Sequence, residues 1–173
     1  MHVFLTGDIQ VGKSTIIRRY LEAHPGLRIG GFLTVWGGDR HAPDVTLHII
    51  PADGTGEPGP DNVIKRRTGR GMTDYPDVYD TAGVRLLQDS ALCDIIVMDE
   101  IGPGENEALA FHRTVLETLR GDVPVLGVVR ALPGVLTDAV RACGNVRTVT
   151  VTEENREDIL QELLREWRTG DET

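Results

Sequence analysis

Cysteine is almost missing from this chain: it has two in 173 residues, Cys93 and Cys143, far apart and outside any Cys-x-x-Cys pair. That excludes a disulfide framework and predicts reduced, buried small residues in a cytosolic protein. At this length one domain, residues 1–173, can bury a real core without such staples. Long apolar runs are missing too. None approaches the roughly 20 residues needed to cross a bilayer, and a strand pattern starts at once, so the expectation is a soluble, unexported, cytoplasmic protein with no membrane partner. Positive charge is in deficit, with 18 Lys and Arg against 27 Asp and Glu for a formal net charge of −9. A general nucleic-acid surface depends on clustered cations releasing counterions, so no nucleic-acid partner is expected. One basic cluster survives, Lys65-Arg66-Arg67 with Arg70, readable equally as a solvated face or a phosphate-binding element. No internal repeat or second domain appears, and a monomer is favoured.

Against these absences stands one dense stretch. Gly7-Asp8-Ile9-Gln10-Val11-Gly12-Lys13-Ser14-Thr15 follows the apolar run Val3-Phe4-Leu5 and precedes a helical pattern. Gly-x-x-x-x-Gly-Lys-Ser between a first buried strand and a helix is a P-loop in its proper setting. Gly7 and Gly12 let the backbone turn so that successive N–H groups point at phosphate oxygens. The helix starting near Lys13 adds unsatisfied N–H groups and the positive end of its dipole. Residues Gly7 to Thr15 are therefore expected to bind a nucleotide. Within them Lys13 would reach the β- and γ-phosphates, and the Ser14 hydroxyl would ligate Mg²⁺.

Downstream, Ile16, Ile17, Tyr20 and Leu21 recur at helical spacing until His24-Pro25-Gly26 stops the helix. Ile29 to Trp36 and Val45 to Ile50 read as strands of a hairpin turning at Gly37-Gly38-Asp39, which makes the sheet mixed. From Pro51 to about Pro60 the composition predicts a surface loop, and its continuation through Arg70, Gly71 and Met72 a lid, a binding segment or disorder. A helix is expected from about Ala82 to Leu92, then the apolar strand Asp94 to Met98 ending at Asp99-Glu100. Ala108, Phe111, His112, Val115, Leu116 and Leu119 share one helical face, with His112 read as a packed residue rather than a ligand. Val123 to Val129 gives another buried strand, Pro133 the first turn of a helix over Val135 to Val140, and Val146 to Val151 a strand. Thr152 is expected to cap a last helix with Glu153 and Glu154 in its first turn and Ile159, Leu160, Leu163, Leu164 and Trp167 on its apolar side. This alternation predicts an α/β sheet with helices on both faces and a site at the carboxyl ends of the strands, where the P-loop, Asp99 and Arg130 converge.

An acidic pair at the end of a buried strand suits a P-loop. Asp99 can hold Mg²⁺ alongside Ser14, and Glu100 can orient and deprotonate an attacking water. The alternative is that the pair caps the following turn. Asp80-Thr81-Ala82-Gly83 looks like the switch motif of small GTPases, but only Val78 and Tyr79 precede it and no Asn-Lys-x-Asp follows anywhere. It is read as a decoy.

Several stretches together resemble the THEP1-type, or cancer-related, nucleoside-triphosphatases, once described as predicted nucleotide kinases. They are His2 to Gly7 with the P-loop, Gly31-Phe32-Leu33-Thr34, Val97 to Gly102 with Glu105, Phe111 and Val115, Pro124 to Gly127, and Val151 to Arg156. The resemblance implies a P-loop nucleoside triphosphate hydrolase fold, a RecA-like three-layer α/β/α sandwich with a mixed, mostly parallel sheet. It also implies Mg²⁺-dependent hydrolysis of several nucleoside triphosphates, ATP and GTP among them, with Lys13, Ser14, Asp99 and Glu100 in the roles above. The chain departs from the family at Pro103-Gly104, where Lys-Met is usual, and at Val35-Trp36, where acidic residues are usual. Phosphoryl transfer to a small acceptor and a nucleotide-binding switch with negligible turnover stay open as alternatives.

Overall fold

The computed structural model describes residues 1–166. Its strands are β1 (His2–Thr6), β2 (Ile29–Trp36), β3 (Val45–Pro51), β4 (Val63–Thr68), β5 (Gly71–Asp74), β6 (Ile95–Ile101), β7 (Val125–Val129) and β8 (Val146–Thr150). The α-helices are α1 (Lys13–Glu22), α2 (Pro76–Val78), α3 (Val84–Gln88), α4 (Leu109–Thr118), α5 (Val135–Ala142) and α6 (Arg156–Glu166). The strands form one sheet in the order β5-β4-β3-β2-β6-β7-β1-β8. From β2 to β8 every pairing is parallel, and from β2 outward through β5 every pairing is antiparallel. The mixed sheet and the β2–β3 hairpin are as the sequence predicts.

Helices cover both faces because the central strands are apolar on both sides. On one face Ile16, Ile17 and Tyr20 of α1 and Ile159, Leu160 and Leu163 of α6 pack on Val3, Leu5, Val97 and Leu126. On the other, Phe111 and Val115 of α4 and Leu136 and Val140 of α5 pack on Phe4, Phe32, Met98 and Val129. Among the described residues no helix is long and apolar enough to cross a membrane.

Several boundaries differ from the sequence reading. The stretch from Pro51 to Met72 is not one loop, since β4 and most of β5 lie within or beside it. Their signal is faint because β5 is exposed throughout and β4 has one fully buried residue, Ile64. The helix expected from Ala82 starts earlier, at Pro76, runs through a π-turn over Tyr79–Gly83 and ends at Gln88. Asp99 and Glu100 lie inside β6, which continues to Ile101, and the peptide between them is cis where the β6–β7 register shifts. Pro133 precedes the N-cap of α5, Gly134, instead of entering the first turn. Glu153 and Glu154 fall in a turn ahead of α6, where Thr152 and Asn155 hydrogen-bond each other reciprocally, and Glu157 and Asp158 occupy the first helical turn. Trp167 lies outside the described residues.

Candidate active site

The loop between β1 and α1 is shaped by backbone that only particular residues tolerate. Gly7, Gln10 and Gly12 all have positive φ, at 128°, 69° and 105°. A Cβ on Gly7 would also stand 2.4 Å from the Val151 carbonyl oxygen, so the loop presses on the chain leaving β8. Gly12 is the N-cap of α1 and supplies no side-chain cap, which leaves the first-turn N–H groups open to an anion. Lys13 folds back over the loop, its ammonium donating to the carbonyls of Gly7, at 2.9 Å, and Asp8. Burial lowers the Lys13 pKa, and the nearby carboxylates of Glu100, Asp99 and Asp8 oppose that shift.

β6 enters the same space from the centre of the sheet. Asp99 is buried and accepts a hydrogen bond from the Ser14 hydroxyl. Burial pushes its pKa up to about 6, against the Ser14 hydrogen bond and the Lys13 charge. Glu100, next in the chain, is about a third exposed and lies 3.6 Å from Arg130 Nε, which reaches it from the end of β7. Arg130 is held at both ends of its backbone, its N–H donating to Ile101 O at 2.9 Å and its carbonyl accepting from the Arg141 guanidinium. Its stem occupies the space a side chain at position 102 would take, since a Cβ on Gly102 would lie 2.8 Å from Arg130 Cδ.

Glu105 closes this corner from behind. Its carboxylate accepts the Gly102 N–H at 3.0 and 3.1 Å and a hydrogen bond from the Tyr79 hydroxyl, and burial raises its pKa to about 7. His112 is likewise structural, with Nε2 bonded to the Glu105 carbonyl at 2.8 Å.

Gly7, Asp8, Ile9, Gln10, Gly12, Lys13, Ser14 and Thr15 line one cavity of about 770 Å³ together with Asp99, Glu100 and Arg130. The structure thus brings together every predicted site residue except Val11, whose side chain packs against the core under α1 and α6. Hard oxygen donors at Ser14 and Asp99 suit Mg²⁺, which retains waters and takes one or two protein ligands plus substrate phosphates. No cluster of three His, Cys, Asp or Glu that could cage a metal occurs among the described residues.

A profile of the NTPase family matches residues 2–164. The chain belongs to that family. It is similar to the nucleoside-triphosphatase THEP1 of Pyrococcus abyssi, with 30% identity over 97% of this chain and 93% of the relative. In structure this NTPase-family chain resembles THEP1 of Aquifex aeolicus, with a TM-score of 0.75 at 21% identity over 95% of this chain and 97% of that one. A human cancer-related nucleoside triphosphatase matches with a TM-score of 0.73 at 24% identity over 99% of both chains. At those identities the two structures establish the P-loop α/β fold.

Within this family chain, the far side of the cavity holds residues that the sequence reading did not assign to the site: Thr34, Trp36, Arg40 and Met72. Lys65 and Arg67, from the basic cluster, join them. Their one-dimensional signal was the bare cluster, because strand alternation decides which of its members turn inward. Arg66 turns outward and pairs with Asp44. Lys65 also bears on the Pro103-Gly104 departure. Its ammonium would lie 3.0 Å from a Cβ on Gly104, so this turn has a lysine beside it, donated by β4. The Asp80 motif takes no part in the cavity; its carboxylate accepts the Phe111 N–H at 2.8 Å.

Proposed function

We propose that this NTPase-family protein hydrolyses nucleoside 5′-triphosphates to diphosphate and phosphate in a Mg²⁺-dependent reaction with low base selectivity. One observation carries the reading. The Lys13 ammonium, the Ser14–Asp99 pair and the Glu100 carboxylate face a single cavity at the carboxyl edge of the sheet. Phosphoryl transfer needs little covalent help and much positioning and charge stabilisation, which these groups can supply. Loop N–H groups and Lys13 would bind the β- and γ-phosphates, with Lys13 neutralising charge as it grows on the leaving oxygen. Ser14 and Asp99 would hold Mg²⁺, whose charge, when bound, offsets that of the phosphate oxygens. Glu100 would orient the attacking water and take its proton. Arg130, 3.6 Å from Glu100 on the wall of the same cavity, would offset charge on the γ-phosphate and hold the base that orients the water. The absence of a guanine-reading Asn-Lys-x-Asp motif supports low selectivity among bases.

A phosphate-release assay with several nucleoside triphosphates, with and without Mg²⁺ and with no acceptor added, tests this directly. Release is expected from more than one triphosphate, only with Mg²⁺, and absent in Lys13→Ala, which should stay folded because the change removes a charge above the core. Wild-type rates in Lys13→Ala, or phosphate release that requires an added acceptor, would overturn the assignment.

A further inference from the structure

The cavity does not end at Glu100. Moving along the sheet from β1 through β7 and β6, the next strands are β2, β3 and β4, so the wall beyond Glu100 is built on the side away from the P-loop strand. From that wall Trp36, Arg40, Lys65 and Arg67 face the same space as Lys13 and Glu100. A water molecule attacking phosphorus needs none of them.

The position of this extension's charges sets them apart. Arg18, Arg19, Arg28, Arg66, Arg141 and Arg147 each have a carboxylate partner, and of the other arginines Arg40, Arg67 and Arg130 line the cavity, Arg130 beside Glu100. Arg40 and Arg67 have none among the described residues, although both are half-buried and adjacent, with Arg67 Nη1 donating to the Arg40 carbonyl at 2.6 Å. Lys65 is already neutralised by Asp74 at 2.8 Å, so it is not the free cation here. Two arginines without a carboxylate partner on the wall of one cavity, in a chain of net charge −9, leave donors for an outside anion. The Arg67 guanidinium carbon also stands 5.0 Å above the Trp36 ring. Stacking of that kind fixes the guanidinium plane and preorganises its fork for a planar or tetrahedral oxyanion.

We propose that this extension is a second anion subsite, in which Arg40 and Arg67 bind a phosphoryl dianion on the entering side of the γ-phosphate. The direction rests on the triphosphatase reading, because attacking and leaving oxygens lie roughly in line and Glu100 marks the attacking side. The charges and the cavity do not depend on it. The shared chemistry has two sources: the orthophosphate released by hydrolysis, or a phosphate monoester such as a nucleoside monophosphate whose base would lie along Trp36.

Calorimetric titration of protein saturated with Mg²⁺ and the β,γ-imido analogue of ATP tests the proposal, with orthophosphate in one arm and AMP in the other. Saturable binding is expected, weakened about tenfold or more in Arg67→Gln and in Arg40→Gln, the scale of a lost charged hydrogen bond. Arg67→Lys keeps the charge over Trp36 and loses the fork, so it should fall between. Equal affinity in the two arms assigns the site to orthophosphate, and AMP tighter by tenfold or more assigns it to the monoester. No saturable binding in either arm, or binding unchanged in both glutamine variants, overturns the subsite. Analogue binding is measured first; if it fails, the triphosphatase reading falls, while the same titrations in a Lys13→Ala background still read the subsite.

Discussion

Asp99 and Glu100 share a peptide bond and little else. Asp99 is 8% exposed and tied to Ser14, whereas Glu100 is about a third exposed and faces Arg130. A metal-holding group acts in both the bound ground state and the transition state; a base acts mainly in the transition state. Glu100→Gln should therefore lower kcat by about 10²- to 10⁴-fold with nucleotide affinity nearly intact. Asp99→Asn should raise the Mg²⁺ concentration needed for half-maximal rate as well as slow turnover, and a Mg²⁺ titration of both variants separates them. Near-normal kcat in Glu100→Gln would remove the base assignment, and Glu105 could not take it over, since its carboxylate is committed to Gly102 and Tyr79. Glu105 makes its own prediction. Its folded pKa of about 7 lies above the ordinary 4.5, so between those values the folded state holds more protons than the unfolded one. Its contribution to stability is complete below the lower value and is lost as pH rises through the upper one. Glu105→Gln still accepts the Gly102 N–H but does not titrate. The difference in melting temperature between wild type and variant should drift against the wild type from about pH 4.5 to 7 and stay flat above; a constant difference across that range would contradict the buried-acid reading.

Elements were legible where one physical signal dominated. β1, β6 and β7 are apolar on both faces and read as buried strands from composition alone; α1 and α4 carry helical stripes that coincide with what they bury. β4 and β5 were not legible, because an antiparallel margin facing solvent needs no apolar run, and Lys65-Arg66-Arg67 reads as charge before it reads as alternation. With them went the inward turn of Arg67 and the part of the cavity wall that Lys65, Arg67 and Met72 build. The P-loop and Asp99-Glu100 were legible because their chemistry is local in sequence, whereas Trp36 and Arg67 meet only through the β2–β3–β4 pairing. The Asp80 motif shows a local pattern with a distant purpose. Helix α4 begins after Ala108, which has no side chain able to cap, and the Phe111 N–H in its first turn is satisfied by the Asp80 carboxylate from the π-turn. Asp80→Ala should cost about 1 kcal/mol of stability, Asp80→Asn less, and neither should change nucleotide turnover. Chemical denaturation alongside the phosphate assay checks this. Loss of turnover with stability unchanged would restore the motif to the active site.

At the scale of the whole molecule, two cores pack on opposite faces of one sheet and the candidate site opens where β1, β6 and β7 end between them. Binding there touches α1 and the ends of three central strands, so it is coupled to global unfolding rather than to a fraying edge. A ligand held only by the folded state stabilises it by about 2.7 kcal/mol at a hundred times its Kd. For a chain of this length each kcal/mol moves Tm by roughly 2–4 °C, so the β,γ-imido analogue of ATP with Mg²⁺ should raise Tm by about 5–10 °C. Without Mg²⁺ the shift should shrink, because Asp99 and Ser14 then lack the cation that links them to the phosphates. In Lys13→Ala it should nearly vanish at the same concentration, since the loop loses its only lysine. Equal shifts in wild type and Lys13→Ala would mean that nucleotide binds somewhere other than this loop, and the site would have to be sought elsewhere on the sheet.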